Sequence, residues 1–408
     1  MRDARAVAPI LAAVVAAELG VRLLSPRRPA LRSQAIDVRA YFSPEEIERG
    51  SRFARPQLAL SLARGAIDSA ALAYLARRPP RWSAPSAPTP ALSGAAGAAA
   101  LTAVLSLPPL PLAALARRRA IKVGLATQSW RGWALDLVKA NVIQAAMAAG
   151  AGGAVVAITR RYPRHWWAPA AIGSVAFGAL LAALAPVILD PLFNDFTPLS
   201  EGDTRRDVLE LARSAGVKVR EVYGVDASRR TTAANAYVTG LGPTKRVVLF
   251  DTLLDRFNRQ EVRVVVAHEL AHVRGRDVAR GVVFAAIVAP AAAFAVQRLS
   301  WALSHERGSA AALPALALSA AIVSLPIGLS GNRLSRAIER RADQVSLELT
   351  DAPDSFVSFE RAIALQNVAD LDPPRWVTNV LATHPPTAER IGAALGYANR
   401  GTQHDPAQ

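Results

Sequence analysis

The stretch Val264-Val265-Val266-Ala267-His268-Glu269-Leu270-Ala271-His272-Val273 places a His-Glu-x-x-His pattern inside an apolar run. Residues four apart in a helix lie on one face, so His268 and His272 can offer imidazole nitrogens to one zinc ion. Glu269 can reach a water at that ion and accept its proton, which is the metalloprotease arrangement. The alternative is two surface histidines beside a helical glutamate, and a third ligand elsewhere would argue against it.

A third zinc ligand is expected because catalytic zinc sites use three protein ligands and leave a fourth position for water. The metzincin extension fails, since position 278 is Val where that class has a third His. The best remaining candidate is Glu339 in a charged stretch near the C-terminus. Asp343 lies one helical turn further and can orient a zinc-binding histidine. We predict one Zn²⁺ per chain, held by His268, His272 and Glu339.

The composition is not that of an ordinary soluble domain. Of the 408 residues, 51% are hydrophobic, and the net charge is +16. Such a charge could indicate nucleic-acid binding, but arginines that flank apolar spans face anionic lipid headgroups more simply. We therefore expect the lipid bilayer as a partner and no nucleic acid. The chain has no Cys, which excludes a disulfide framework and a thiol nucleophile.

Seven stretches are long and apolar enough to cross a bilayer. They lie near residues 6–21, 58–76, 92–114, 141–159, 166–189, 281–297 and 310–329. Pro108, Pro109 and Pro111 interrupt the third, which should kink or end there. Within the spans, Glu18 should face the bundle interior, and Arg64 and Asp68, one turn apart, are expected to form an ion pair.

The distribution of basic residues predicts the orientation in the cell membrane. Segments between spans one and two and between three and four carry fourteen Lys and Arg, against ten on the other side. Cytoplasmic segments are enriched in these residues. The N-terminus is therefore expected outside, with the active site on the cytoplasmic side.

Residues 190–277 form a polar insertion between spans five and six. Its pattern predicts an amphipathic helix over 201–215 and short strands over 217–225, 233–239 and 245–250, with a turn at 240–243. Asn258 and Glu261 form a capping-box pattern at the start of the zinc helix, which is expected to run on into span six. A helix over 333–350 should carry Glu339, and prolines divide the helices that follow it.

With these motifs the chain resembles the CAAX prenyl protease type 1 family of integral-membrane zinc endopeptidases, which is related to bacterial heat-shock membrane proteases. Besides the zinc motif, four blocks match: 190–199 (DPLFNDFTPL), 234–240 (ANAYVTG), 246–254 (RVVLFDTLL) and 383–391 (THPPTAERI). Many eukaryotic members have a further His where this chain has Asp277, which we group with Asp343 as a residue supporting the zinc ligands. This departure leaves the subfamily and the substrate open.

The resemblance implies a mainly α-helical membrane protein, with about seven transmembrane helices and a membrane-associated, zincin-like catalytic domain that contains a small β-sheet. It implies that His384 and Arg390 lie over the substrate carbonyl, where an oxyanion needs donors. It also implies that the strand of Asn235, Ala236 and Tyr237 pairs with an extended substrate. From the residues alone, the alternative for His384 is a histidine that caps a helix, and the alternative for the Asn235 strand is a plain hairpin without a substrate role.

These inferences predict a zinc-dependent endopeptidase acting on peptides or proteins, lipidated or membrane-embedded ones included. The predicted segments are 1–189 (spans one to five), 190–277 (first catalytic part), 278–332 (spans six and seven), 333–400 (second catalytic part) and a disordered tail, 401–408. The alternative from another class is a non-catalytic zinc-binding membrane scaffold or transporter. Neither the physiological substrate nor the oligomeric state can be read from the sequence.

Overall fold

The computed structural model describes residues 4–27, 31–80, 89–240 and 245–403. The helices before the sheet are α1 Ala4–Leu24, α2 Pro44–Arg77, α3 Pro90–Ser106, α4 Leu110–Lys122, α5 Trp130–Arg161 and α6 Trp167–Leu184. The middle of the chain contains β1 Phe196–Pro198, α7 Asp203–Ser214, β2 Glu221–Val225, β3 Ala236–Thr239, β4 Arg246–Phe250 and α8 Asp251–Arg256. The remaining helices are α9 Arg259–Arg274, α10 Asp277–Leu303, α11 Leu313–Thr350, α12 Pro353–Gln366 and α13 Thr387–Gln403.

The predicted membrane spans are confirmed. Six helical stretches of the described chain are long and apolar enough to cross a membrane, and the bent pair α3–α4 makes a seventh. The bend is 51°, and it falls at the three prolines because proline lacks an N–H and disfavours helix in the residue before it. The fold class, a helical membrane protein with a small sheet, is therefore confirmed as well.

The sheet has four strands in the order β1-β2-β4-β3. The three predicted strands are present with shorter bounds, and the 201–215 helix is present as α7. The sequence analysis missed β1, which pairs antiparallel with β2. In the described chain β3 pairs only with β4, so it is an edge strand. Most of the predicted 240–243 turn lies outside the described residues.

The zinc-motif helix α9 begins as predicted. The Asn258 side chain accepts from the N–H groups of Gln260 and Glu261, and the Glu261 carboxylate accepts from the Asn258 N–H. Its predicted continuation into span six is wrong. The helix ends at Arg274, and Arg276 adopts a left-handed conformation (φ 54°) before α10 begins. This break lets α10 leave α9 in a new direction, with Asp277 in its first turn.

Span seven and the Glu339 helix, predicted as separate segments, form one 38-residue helix, α11. Glu339 is thereby fixed rigidly to a membrane helix. Glu18 of span one faces α11: Arg333 Nη1 lies 2.6 Å from Glu18 Oε2, and the Ser330 hydroxyl donates to Glu18 Oε1 at 2.7 Å, which ties α11 to α1. The expected Arg64–Asp68 ion pair is wrong, since neither residue forms one with the described residues, and Arg64 is exposed.

The main buried core unites the sheet with residues of α7, α8, α9, α11, α12 and α13. Val222, Val247 and Leu249 of the sheet pack with residues of α9 and with Phe356 of α12, all almost fully buried. Because α9 is enclosed on this side, its other side is left to meet α11. At the C-terminus, α13 continues to Gln403, past the predicted start of the tail at 401. Residues 404–408 of that tail lie outside the described residues.

Candidate metal centre

Three side chains predicted as zinc ligands converge where α9 crosses α11. His268 Nε2 lies 3.1 Å from His272 Nε2 and 3.2 Å from Glu339 Oε2, and His272 Nε2 lies 3.6 Å from Glu339 Oε1. One candidate donor atom from each residue lies within 4.8 Å of the other two. The pair spaced by one turn of α9 is therefore completed by a carboxylate 67 positions further along the chain.

Small residues let the two helices approach closely at this crossing. Ala271 of α9 and Ala342 of α11 are 1% and 0% exposed and pack together. The hydroxyl of Ser346 donates to the Val264 carbonyl at 2.7 Å and fixes the register of the crossing. This register places Glu339 and Asp343, one turn apart on α11, on either side of the His268 ring.

Each histidine ring is oriented by a second carboxylate. His268 Nδ1 lies 2.9 Å from Asp343 Oδ1, and His272 Nδ1 lies 3.0 Å from Asp277 Oδ2. When these Nδ1–H groups donate, both Nε2 atoms carry free lone pairs directed at the centre of the cluster. Glu339 Oε2 is buried there without a hydrogen-bond partner among the described residues. The donor set thus fits a cation at its centre, and two imidazoles with one carboxylate are ligands that zinc accepts.

The electrostatics of the cluster also favour a cation. Burial by itself lowers the pKa of His268, but the neighbouring carboxylates of Asp343 and Glu339 more than offset it and raise the pKa to about 10. Carboxylates that hold a proton this strongly attract a metal ion in the same way. Burial raises the pKa of Glu269, while His268 and His272 oppose that shift. Glu269 forms no hydrogen bond or ion pair with any described residue, so its carboxylate is available to an incoming molecule.

Asp277 is held from two further directions. Arg341 on α11 and Arg280 on α10 both form ion pairs with its carboxylate, the latter at 3.0 Å. Gly275 makes room for this contact, because a Cβ at that position would overlap the Arg341 guanidinium. The α9–α10 break thus serves the site by carrying Asp277 back to the Nδ1 of His272.

Arg390 lies behind His268. Its Nε donates to Asp343 Oδ2 at 2.9 Å, its Nη2 donates to Asp343 Oδ1, and its Nη1 lies 2.8 Å from Glu360 Oε1. The predicted contact of Arg390 with a substrate oxyanion stays a prediction, since these donors all point to carboxylates in this structure. Glu360, 2% exposed on α12, was missed by the sequence analysis. Burial raises its pKa to about 7, against the opposing charge of Arg390.

His384 stands at the open side of the cluster. Its side chain is 63% exposed, and its Nε2 lies 3.5 Å from Glu339 Oε2. A π-helical turn, Val377–Leu381, leads to it. On α11, Arg336 donates to the carbonyls of Asn379 and Ala382, and Asn332 donates to the neighbouring carbonyls of this turn. These bonds satisfy carbonyls at the end of the π-helical turn and hold the segment that carries His384 against α11.

The predicted substrate strand is the edge strand β3, which packs against α9. Asn235 is exposed, and its carbonyl accepts from the Phe250 N–H at 3.1 Å. Backbone groups alternate in an antiparallel ladder, so those of Ala236 and Val238 point away from β4. The Asn235 side chain covers the Ala236 N–H at 2.9 Å, so among the described residues the groups of Val238 are the open part of the edge.

Two neighbours limit this open edge. The Asn367 amide donates to the Ala234 carbonyl at 3.3 Å and accepts from the Ala234 N–H at 3.0 Å, as a neighbouring strand would. The Tyr237 hydroxyl lies 3.4 Å from Asp190 Oδ2, which links β3 to the end of the fifth span. Asn367 was also missed by the sequence analysis, and its only signal was an amide just after a helix end.

Comparison with known proteins agrees with this geometry. The profile described as Peptidase family M48 matches residues 198–398, and the one described as CAAX prenyl protease N-terminal, five membrane helices, matches residues 91–195. The uncharacterized metalloprotease YhfN of Bacillus subtilis (strain 168) is 32% identical over 305 residues, 72% of this chain and 72% of YhfN. The chain belongs to peptidase family M48.

Two further proteins are similar to this chain, one over part of its sequence and one over nearly the whole fold. The probable CAAX prenyl protease 1 of Schizosaccharomyces pombe (strain 972 / ATCC 24843) is 33% identical over 151 residues, 37% of this chain and 32% of that protein. The crystal structure of S. mikatae Ste24p matches with a TM-score of 0.76 over 97% of this chain and 98% of that chain, at 19% identity. The chain is thus a multi-span membrane protein with the Ste24p fold, from a family of metallopeptidases, and the predicted resemblance is confirmed.

The M48 match contains the whole cluster, including the residues that the sequence analysis missed. Glu360 had a readable signal: it is an acidic residue on the apolar face of α12, beside Phe356 and Phe359. A lone charge on a buried face requires a partner of opposite charge. The sequence could therefore have indicated that Glu360 has a basic partner, but not that the partner is Arg390.

Proposed function

We propose that this M48 member is a zinc-dependent endopeptidase of the cell membrane that hydrolyses peptide bonds in peptide or protein substrates. The observation that carries the proposal is the convergence of His268, His272 and Glu339 next to Glu269, whose carboxylate has no partner among the described residues. The fit of this donor set to one Zn²⁺ supports the choice of metal. Relatives named as CAAX prenyl proteases support peptide substrates, and lipidated or membrane-embedded ones are part of the proposal.

The residues of the chain divide the chemistry between them. Zn²⁺, when bound by His268, His272 and Glu339, supplies Lewis-acid chemistry and keeps a position open for exchange. Glu269 accepts the proton of the attacking water and passes it to the leaving amine. Burial raises its pKa, which makes the carboxylate a stronger base toward the proton of the water. Asp343 and Asp277 hold the two imidazoles in the orientation that binding requires.

His384 is proposed to stabilise the oxyanion that forms as water adds to the substrate carbonyl. Its exposed ring beside Glu339 supports this role, since a donor at the open side can meet the developing charge. Arg390 is proposed to assist in the same step. Its contacts with Asp343 and Glu360 support a contribution through the His268 ring, and a direct contact requires its side chain to turn.

The substrate is proposed to bind as an added strand along β3. The exposed Asn235 and the outward N–H and C=O of Val238 support this mode, which uses main-chain hydrogen bonds and so tolerates many sequences. Ala236 and Tyr237 belong to the same strand. Because β3 packs against α9, a peptide paired with it runs past the helix that carries Glu269.

We further propose that the catalytic unit is assembled from 190–277 and 333–400, with 278–332 between them in the membrane. The excess of basic residues on one side supports an active site at the cytoplasmic face and an N-terminus outside. The Ste24p-like fold, in which α11 continues from the membrane into the cluster, supports a site at the membrane surface.

The test is cleavage of a diverse peptide mixture by the detergent-purified protein, read by mass spectrometry, with Glu269→Gln in parallel. We expect wild type to cleave and Glu269→Gln to lose at least ~100-fold in rate, because general acid–base catalysis contributes ~10²–10⁴-fold. Zinc content, measured on the same samples, should be equal, since Glu269 is not a proposed ligand.

Two outcomes contradict the proposal in different ways. Equal cleavage by a zinc-loaded Glu269→Gln protein excludes Glu269 as the base. Zinc binding without cleavage of peptides, of prenylated peptides or of membrane-embedded substrates favours the non-catalytic scaffold or transporter.

A further inference from the structure

A second site lies at the other end of the membrane helices. A cavity of about 230 Å³ opens between the C-terminal ends of α5 and α10 and the first turns of α11. Ser300 and Asp277 are 23 residues apart on α10, which at 1.5 Å per residue places the cavity about 35 Å from the metal cluster. It therefore faces the opposite membrane surface, and nothing in the proposed peptidase mechanism uses it.

The surroundings of the cavity are strongly cationic. Arg164 and Arg307 line it, and only one carboxylate, that of Glu306, is among its lining residues. Two further arginines stand beside lining residues: Arg160 lies next to Gly308, and the Arg298 guanidinium lies over the Trp301 ring. None of these four forms an ion pair with a residue in the described ranges, whereas Arg280, Arg333 and Arg390 elsewhere in the protein all do. Such an excess of positive charge calls for an anionic partner.

Aromatic side chains set the cavity at the level of the lipid headgroups. Trp301 lines it, with the guanidinium carbons of Arg298 and Arg307 5.8 and 4.9 Å from its ring centroid. Trp166 lines it from the α5–α6 side and is 5% exposed. Tryptophan and arginine together are typical of the membrane–water interface.

The cavity is also built into the fold. Gly308, at φ 63°, turns the segment that contributes Glu306 and Arg307 to the lining, and the backbone of Arg164 is tied to α10 by a hydrogen bond from the Gln297 side chain at 3.3 Å. About 10–15 Å³ of such volume holds one water molecule, so the space accommodates a group of several heavy atoms. Arginine binds phosphate through two parallel N–H donors, which a headgroup phosphate can accept.

We propose that this cavity binds the phosphate headgroup of an anionic membrane lipid, with the acyl chains outside in the bilayer. A lipid is the source that fits, because the cavity opens among membrane-spanning helices at headgroup level. Arg164 and Arg307 contact the phosphate, and Trp301 packs beside it. The bound lipid joins α5, α10 and α11, so it stabilises the packing of these helices.

The test compares thermal unfolding of delipidated, detergent-purified protein with added phosphatidylglycerol or phosphatidylcholine. We expect phosphatidylglycerol to raise the Tm of wild type by several degrees and phosphatidylcholine to have no such effect. Arg164→Gln/Arg307→Gln should lose the increment. Arg77→Gln/Arg78→Gln should keep it, because it removes the same charge at the end of α2, outside the cavity.

Glu306→Gln should strengthen the binding of phosphatidylglycerol. The wild-type Glu306 carboxylate opposes anion binding, so the variant should reach half of the Tm increment at a lower phosphatidylglycerol concentration than wild type. An equal increment in the Arg164/Arg307 variant, or none in wild type, overturns the proposal. An equal increment from glycerol 3-phosphate without acyl chains overturns the lipid as the ligand.

Discussion

Asp343 is expected to control how tightly the cluster holds its metal. Its carboxylate is 2% exposed, lies 2.9 Å from His268 Nδ1, and receives two N–H donors of Arg390. Asp343→Asn keeps the size of the side chain and removes the charge that orients the ring. Removing such a partner of a metal-binding histidine costs roughly 10–100-fold in metal affinity, or about 1.4–2.8 kcal/mol.

The same substitution disturbs a buried ion pair. Arg390 retains Glu360 at 2.8 Å, so its charge is not left without a partner. The loss of folding stability should therefore remain below the ~3–5 kcal/mol that breaking an isolated buried pair costs. A lower Tm with intact folding is the expected result, and metal affinity must be compared at a temperature where both proteins are folded.

The assay is competition for zinc between the purified protein and a chelator, with bound zinc measured by inductively coupled plasma mass spectrometry. Asp343→Asn should lose half of its zinc at a ~10–100-fold lower concentration of free chelator than wild type does. Glu348→Gln is the matched control, because it removes one carboxylate from the exposed face of the same helix. If folded Asp343→Asn retains zinc at every chelator concentration as wild type does, the reasoning about ring orientation is wrong.

Three further predictions follow from other contacts. Glu339→Ala should lower zinc content after dialysis to well below one per chain, because it removes one of three converging donors. Val238→Pro should lower the rate of peptide cleavage with little change in Tm, since it deletes an N–H that points away from β4 and proline is tolerated at such edge positions. Glu360→Gln should flatten the fall in Tm between about pH 5 and 7, because the folded pKa of Glu360 is raised to about 7 and wild type loses stability as this buried group ionises with rising pH.

Each of these has a result that contradicts it. Unchanged zinc stoichiometry in Glu339→Ala means that another residue is the third ligand. Full activity of Val238→Pro on long peptides excludes pairing at that N–H, and a matched Val238→Ala variant controls for the side chain. If Tm falls with pH in Glu360→Gln as it does in wild type, other groups cause the fall.

The sequence by itself determined the local parts of this protein. Hydropathy located the seven spans because crossing a bilayer requires about 20 apolar residues whatever the neighbours are. The capping pattern fixed the start of α9, and a spacing of four placed His268 and His272 on one face. These features depend on residues within a few turns of each other, which is why they can be read from the chain directly.

The tertiary structure alone decided how distant segments meet. That Arg390 reaches Asp343 and Glu360, and that Asn367 closes the end of the β3 edge, depends on packing between helices far apart in the chain. The end of α9 had a sequence signal, since Gly275 follows His272 and Arg274 of the last turn, but the left-handed Arg276 and the contacts of Asp277 with His272 and Arg341 were not readable. The sequence thus shows the residues of the cluster separately, and the crossing of α9 with α11 brings them together in one site.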